Sequence, residues 1–163
     1  MNELDFLKRV ARFNEQAQMP PPDGTFNADR VGFYTGCQLE ELAEKIEVIG
    51  KSAIDHIDTR LLQTLCQTLS HYGMRFKNGH FKGAVLRADR EQLLSEDIDV
   101  AVVTAGALCY QTPHFVDAAL AICDANDQKW VNGVKRDEVT GKVLKPAGWT
   151  AADLSRFIIK AQD

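Results

Sequence analysis

The sequence predicts an all-α fold, a bundle of four or five helices with a small C-terminal β-hairpin or ordered loop. Three observations carry this. Apolar residues recur at three- and four-residue spacing along most of the chain. Proline and glycine breakers separate those periodic stretches. One run, Leu94 to Cys109, is apolar or small after Asp99 and long enough for a helix buried on most of its sides.

Taken in order, Leu4, Phe6, Leu7, Val10 and Phe13 predict a first helix over 3–18. It ends at Pro20-Pro21-Pro22, since proline cannot continue a helix. Asn27 or Asp29 caps a second helix running to Ile49, with Leu39, Leu42, Ala43, Ile46 and Ile49 on its apolar side. Gly50-Lys51-Ser52 breaks it. Ser52 then caps a third helix to Tyr72, with Ile54, Ile57, Leu61, Leu62, Leu65 and Leu69 as its stripe. Residues 73–87, with Gly73, Asn78, Gly79 and Gly83, read as a loop containing a hairpin around Asn78-Gly79. A central helix covers 89–110. Thr112-Pro113 opens the next, with Phe115, Ala118, Ala119 and Ile122 facing inward. Residues 126–149 flank a turn at Asp137-Glu138-Val139-Thr140-Gly141, and Thr150 caps a last helix over 151–161.

The totals exclude some classes of function. The chain has 163 residues, enough for one domain with a core. Its net charge of −4 and the lack of a basic block argue against nucleic-acid binding. The longest apolar run is too short to span a bilayer, so no membrane partner is expected. The start, Met1-Asn2-Glu3-Leu4-Asp5, is acidic and resembles no leader, so a cytoplasmic location is expected. Cys37, Cys66, Cys109 and Cys123 form no C-x-x-C pair and read as reduced core thiols. The four histidines form no H-x-x-x-H pair, so no zinc site is expected.

The chemistry lies in the acids. At about 100° per residue, Glu96, Asp99, Val103 and Gly106 share one face of the central helix. Two carboxylates therefore lead into a stripe where a partner helix should pack, with Gly106 permitting close approach. A buried carboxylate without a partner is costly, so a basic side chain or a cation must meet it. The second helix carries Glu40, Glu44 and Glu47 within a narrow arc, with Glu41 beside Glu44. Read alone, that arc is an ordinary solvated acidic face. Two helices with inward carboxylates repel each other unless a cation intervenes, and oxygen-only ligands select Mg²⁺ or Mn²⁺.

These residues resemble a known family. Glu40-Glu41-x-x-Glu44 followed by Glu96-x-x-Asp99 is similar to the E-E-x-x-E … E-x-x-D pattern of the all-α nucleoside triphosphate pyrophosphohydrolases. That superfamily includes the MazG-type enzymes, the all-α dUTPases and phosphoribosyl-ATP pyrophosphohydrolase. Asp99 to Gly106 resembles the D-x-x-V-V-x-x-G continuation of its fourth helix. Asn126-x-x-Lys129, then Gly141-Lys142-Val143-Leu144-Lys145-Pro146, Trp149 and Asp153-Leu154, resemble the tail of the phosphoribosyl-ATP-pyrophosphohydrolase-like branch. The likeness covers about residues 30–155. It departs from the family pattern between the acid motifs, where residues 45–95, 51 in number, intervene and the extra length falls at 73–87.

The resemblance implies a single MazG-like domain over 1–163, with a core at about 30–125 and a phosphate-contacting tail at about 126–155. It implies Mg²⁺, or Mn²⁺, on Glu41, Glu44, Glu96 and Asp99. Water would attack the α-phosphorus of a nucleoside triphosphate, expected to be a dNTP, to give the monophosphate and pyrophosphate. Glu40, Glu41 and Glu44 would form the catalytic set, with Glu40 or Glu47 as proton acceptor. Asn126, Lys129, Lys142 and Lys145 would face the remaining phosphates, and Asn14 and Phe33 are candidate base contacts. A homodimer or homotetramer is expected from the same likeness.

Blander readings stand beside these. Lys142 and Lys145 also read as surface lysines of a hairpin, Asn126 as a helix C-cap, and Trp130 and Trp149 as packing residues or base-pocket walls. Three alternatives to the leading function remain: phosphoribosyl-ATP pyrophosphohydrolase, a non-catalytic helical module that binds a nucleotide or metal, and a structural protein whose acids pair with Lys45, Lys51 and Arg60.

Overall fold

A computed structural model describes residues 8–10, 12, 25–53, 55–131, 133–137 and 143–158. The described chain is mostly helical. It divides into two compact units, Gly24–Asp89 in one and Met1–Asp23 with Arg90–Asp163 in the other.

The first unit is a helical hairpin. Helix α1 spans Ala28–Gly50 and α2 spans His56–Lys77. Asn27 caps α1, its side-chain oxygen accepting from the Arg30 N–H at 3.1 Å. The third predicted helix starts later than expected. Asp55 caps α2, accepting from the Ile57 N–H at 2.7 Å, while Ser52 lies in the preceding turn. Gly50 meets Leu62, the Cys66 thiol donates to the Ala43 carbonyl, and Gly36 meets Gly73, so the helices run antiparallel.

Small residues form the seam. The buried residues of α1 are Ala28, Gly32, Gly36 and Ala43. Of the predicted apolar side only Ala43 is buried, and Leu42 and Ile49 are exposed. A Cβ on Gly36 would stand 2.5 Å from the Gly73 carbonyl oxygen, and one on Gly73 2.9 Å from that of Gly36. The two backbones touch where both lack a side chain, which leaves the larger aliphatics to flank the contact.

That contact also corrects the predicted loop over 73–87. Gly73 lies inside α2, which continues to Lys77. A turn with Gly79 at φ +76° leads not into a hairpin strand but into a short helix α3, Lys82–Arg87. Val85 of α3 covers Gly32. Phe81 packs on Phe76 at 4.4 Å between ring centroids, and the Arg75 guanidinium lies 5.0 Å from the Phe81 ring.

In the second unit, residues 8–10 and 12 are helical, and the rest of the predicted 3–18 helix lies outside the described residues. Helix α4 spans Arg90–Gln111, as the sequence predicts within a residue. Its surroundings differ from the expectation: none of its residues is buried, and Val103 is 67% exposed. A Cβ on Gly106 would meet nothing within 4 Å, so this glycine serves no close helix contact among the described residues.

Helix α5 spans Phe115–Asp127. Thr112 is buried and accepts from the His114 N–H at 3.0 Å, so it braces the turn before α5 rather than capping the helix itself. Leu120 and Ala125 are its buried residues, whereas Ile122, predicted to face inward, is 45% exposed. The Arg9 guanidinium grips α5 through Asp124 and Asp127, both at 2.6 Å.

Beyond α5, a 3₁₀ turn covers Gln128–Trp130. Arg136 and Val143 form one antiparallel bridge, and the Leu144 N–H donates to the Lys135 carbonyl at 2.8 Å. The last helix predicted from Thr150 is not seen at 151–154, where the chain is irregular before a 3₁₀ turn at Ser155–Phe157. The Asp153 carboxylate accepts from the Ser155 N–H at 2.9 Å at the start of that turn.

Candidate functional site

Helix α1 displays its acids as the spacing requires, but they do not share one environment. The Lys77 ammonium lies 2.5 Å from a Glu40 carboxylate oxygen, with side-chain exposures of 8% for the lysine and 26% for the glutamate. Glu47 pairs with Lys51 one turn on, at 3.3 Å and in solvent. Glu41 and Glu44 are exposed and have no ion-pair partner among the described residues. Of the basic residues considered as structural partners, Lys51 takes Glu47, while Lys45 and Arg60 hold no ion pair among the described residues.

Near the head of α4, Glu96 and Asp99 are exposed at i, i+3 spacing, and neither has an ion-pair partner among the described residues. Glu41 and Glu44 thus belong to one compact unit, and Glu96 and Asp99 to the other. Among the described residues, no three histidine, cysteine, aspartate or glutamate side chains are gathered as a metal cluster would require.

The C-terminal unit does bring together three residues that the sequence singles out, Lys129, Lys145 and Trp149. The Lys145 ammonium lies 4.3 Å from the centroid of the Trp149 ring, and that of Lys129 lies 5.4 Å from it. Both distances are within cation–π range. The Trp149 indole N–H donates to the Ala125 carbonyl at 2.7 Å, in the last turn of α5, where carbonyls lack helical partners. Asn126, the next residue, is half-buried, and its carbonyl accepts from the Gln128 N–H.

A tight turn sets up this arrangement. The Trp149 N–H donates to the Pro146 carbonyl at 3.0 Å, and Gly148 has φ +80°. A glycine at the third position suits a turn that needs positive φ there. The turn folds Lys145 back over the ring. Sequence reasoning missed Trp149 as an organising residue, although Pro146-x-Gly148 was a readable turn signal joining residues 145 and 149. It also missed Lys77, whose meeting with Glu40 depends on how α1 and α2 cross.

Of the remaining candidates, Phe33 lies on α1 in edge contact with Tyr34, with ring centroids 5.7 Å apart. Asn14 and Lys142 lie outside the described residues. All four cysteines are on helices and none is in a disulfide. Burial raises the pKa of the Cys123 thiol, whereas Cys109 is exposed. A groove of about 810 Å³ opens between the end of α1 and the start of α2, lined in part by Ile46, Glu47, His56, Leu62 and Cys66. Among the described residues, no helix is long and apolar enough to cross a membrane.

Comparison with protein-family models, with characterised proteins and with solved structures finds no match.

Proposed function

We propose that the chain is a Mg²⁺-dependent nucleoside triphosphate pyrophosphohydrolase of MazG-like architecture. It would cleave a nucleoside triphosphate, by preference a dNTP, at the α-phosphorus to the monophosphate and pyrophosphate. The observation that carries this reading is the state of four carboxylates. Glu41 and Glu44 on α1, and Glu96 and Asp99 on α4, are all exposed without an ion-pair partner among the described residues. Carboxylate oxygens of this kind are the ligands that a hard cation, Mg²⁺ or Mn²⁺, takes.

When bound, the cation supplies charge neutralisation for the phosphate oxygens and makes water more acidic. The chain's own residues do the rest. Glu40, fixed by Lys77, orients the attacking water and takes its proton. Lys129, Lys142 and Lys145 hold the β- and γ-phosphates by charge-assisted hydrogen bonds, with Asn126 as a neutral donor. The Arg136–Val143 bridge supports reading this segment as a small hairpin, with Lys145 two residues beyond it. The working form is a cytoplasmic homodimer or homotetramer.

The test is a panel of NTPs and dNTPs with and without Mg²⁺, assayed for monophosphate, diphosphate, pyrophosphate and orthophosphate. The expected result is monophosphate and pyrophosphate in equal amounts, only with the metal, and none from E44Q. A diphosphate with orthophosphate would place the attack elsewhere. The Glu40–Lys77 and Glu47–Lys51 pairs favour a second reading, a structural helical protein whose acids pair with basic side chains. No nucleotide binding, with stability unchanged by Mg²⁺, would establish that alternative.

A further inference from the structure

We infer that Trp149 is a positioning residue: its indole face gathers Lys129 and Lys145 into a paired cationic site for a polyphosphate anion. The polyphosphate rests on the function proposed above, but the gathering does not. Lys129 stands in the 3₁₀ turn after α5 and Lys145 in the segment leading into the 146–149 turn, 16 residues apart in sequence. From 5.4 Å and 4.3 Å to one centroid, the two ammonium groups are at most about 10 Å apart. At that range, comparable to the Debye length at moderate salt, like charges repel. Surface lysines normally drift apart to lower that repulsion. A π face attracts both and offsets it.

The ring is itself held from two sides. Its indole N–H is bonded to the Ala125 carbonyl, and its backbone N–H closes the turn onto Pro146. The ring is thereby fixed to the end of α5, and both ammonium groups lie within cation–π range of that fixed ring before any ligand arrives. A multiply charged anion then gains from two cations already close together, with less ordering to do on binding. A single orthophosphate spans less of the pair and gains less.

The experiment uses the full chain, without Mg²⁺, and inorganic triphosphate as the probe. In ¹³C-lysine-labelled wild-type protein, the ε-CH₂ groups of Lys129 and Lys145, assigned by K129M and K145M, should show upfield ring-current shifts that need no folded Trp149 variant to read. Both at ordinary lysine positions would overturn the inference. By titration calorimetry, W149L should weaken triphosphate binding by roughly three- to thirty-fold, the range of a lost cation–π contact. W149F, which keeps a π face but loses the indole N–H bond to Ala125, should bind between wild type and W149L. Triphosphate binding that W149L leaves unchanged, W149F as weak as W149L, or no binding to the wild type would each overturn it. The two proposals fail separately. A chain that hydrolyses no nucleotide but loses triphosphate on W149L ends the hydrolase reading alone. A chain that hydrolyses nucleotides and binds triphosphate equally with or without the ring ends this inference alone.

Discussion

Lys77 and Glu40 join α2 to α1 through an ion pair whose lysine is almost fully enclosed. The pair sits beside the closest approach of the two helices: a Cβ on Gly73 would lie 3.2 Å from Glu40 Cγ, and one on Gly36 2.5 Å from Lys77 Cγ. The methylene stems of both residues therefore wall the glycine contact, and their charged ends meet above it. Glu41 and Glu44, on the same helix, have no such partner among the described residues.

Two acids on one helix should then respond differently to substitution. E40A strands the Lys77 ammonium and should destabilise the protein by about 2 kcal/mol, below the cost of breaking a fully buried pair because Glu40 is partly exposed. E44Q removes an exposed charge and should change stability by less than about 0.5 kcal/mol while abolishing turnover. Urea unfolding and pyrophosphate release measured on both variants check this. Equal stability losses would mean that Glu44 is as structural as Glu40.

Glycine substitutions separate a close contact from an open helix position. G36A drives a methyl group into the Gly73 carbonyl and should cost about 2–3 kcal/mol, as overpacking does. G106A meets nothing and replaces a poor helix former, so it should be neutral or stabilise by up to about 1 kcal/mol. Denaturation midpoints for the two variants decide it; a tolerated G36A would contradict the glycine seam.

The Ser155 backbone N–H holds the Asp153 carboxyl below the usual carboxylate range. A carboxyl whose folded pKa is depressed favours the folded turn above the unfolded pKa, and that contribution disappears as pH falls through the folded value. Asp153 should therefore titrate below the ordinary aspartate value of about 3.9 in a carbon-detected NMR titration. Amide exchange at Ser155 should lose protection over the same acidic range. D153N keeps an acceptor without the charge and should remove that pH dependence. An ordinary midpoint for Asp153 would contradict the turn.

Much of the architecture is written locally. Asn27 and the periodicity after it place α1, and the apolar run after Asp99 places α4, because caps and side-chain period act over a few residues. What fails to show locally depends on residues distant in sequence. Gly73 reads as a breaker until Gly36 is seen against it, and α2 runs through it to Lys77. Ser52 and Thr150 are good caps in isolation, yet the chain turns later, where Asp55 and Asp153 accept from the Ile57 and Ser155 N–H groups. Apolar composition implied that α4 is buried on most sides, but composition does not say what covers a helix. For the site, the acids and lysines were legible by type and spacing. The Lys77 partner of Glu40 and the ring that gathers Lys129 and Lys145 were not, since both follow from chain reversals.

The proposed attack at the α-phosphorus is tested most directly by hydrolysing a dNTP in H₂¹⁸O with Mg²⁺ and weighing the products by mass spectrometry. The account predicts one ¹⁸O atom in the nucleoside monophosphate and none in the pyrophosphate. Label in the pyrophosphate, or in orthophosphate released beside a nucleoside diphosphate, would contradict it.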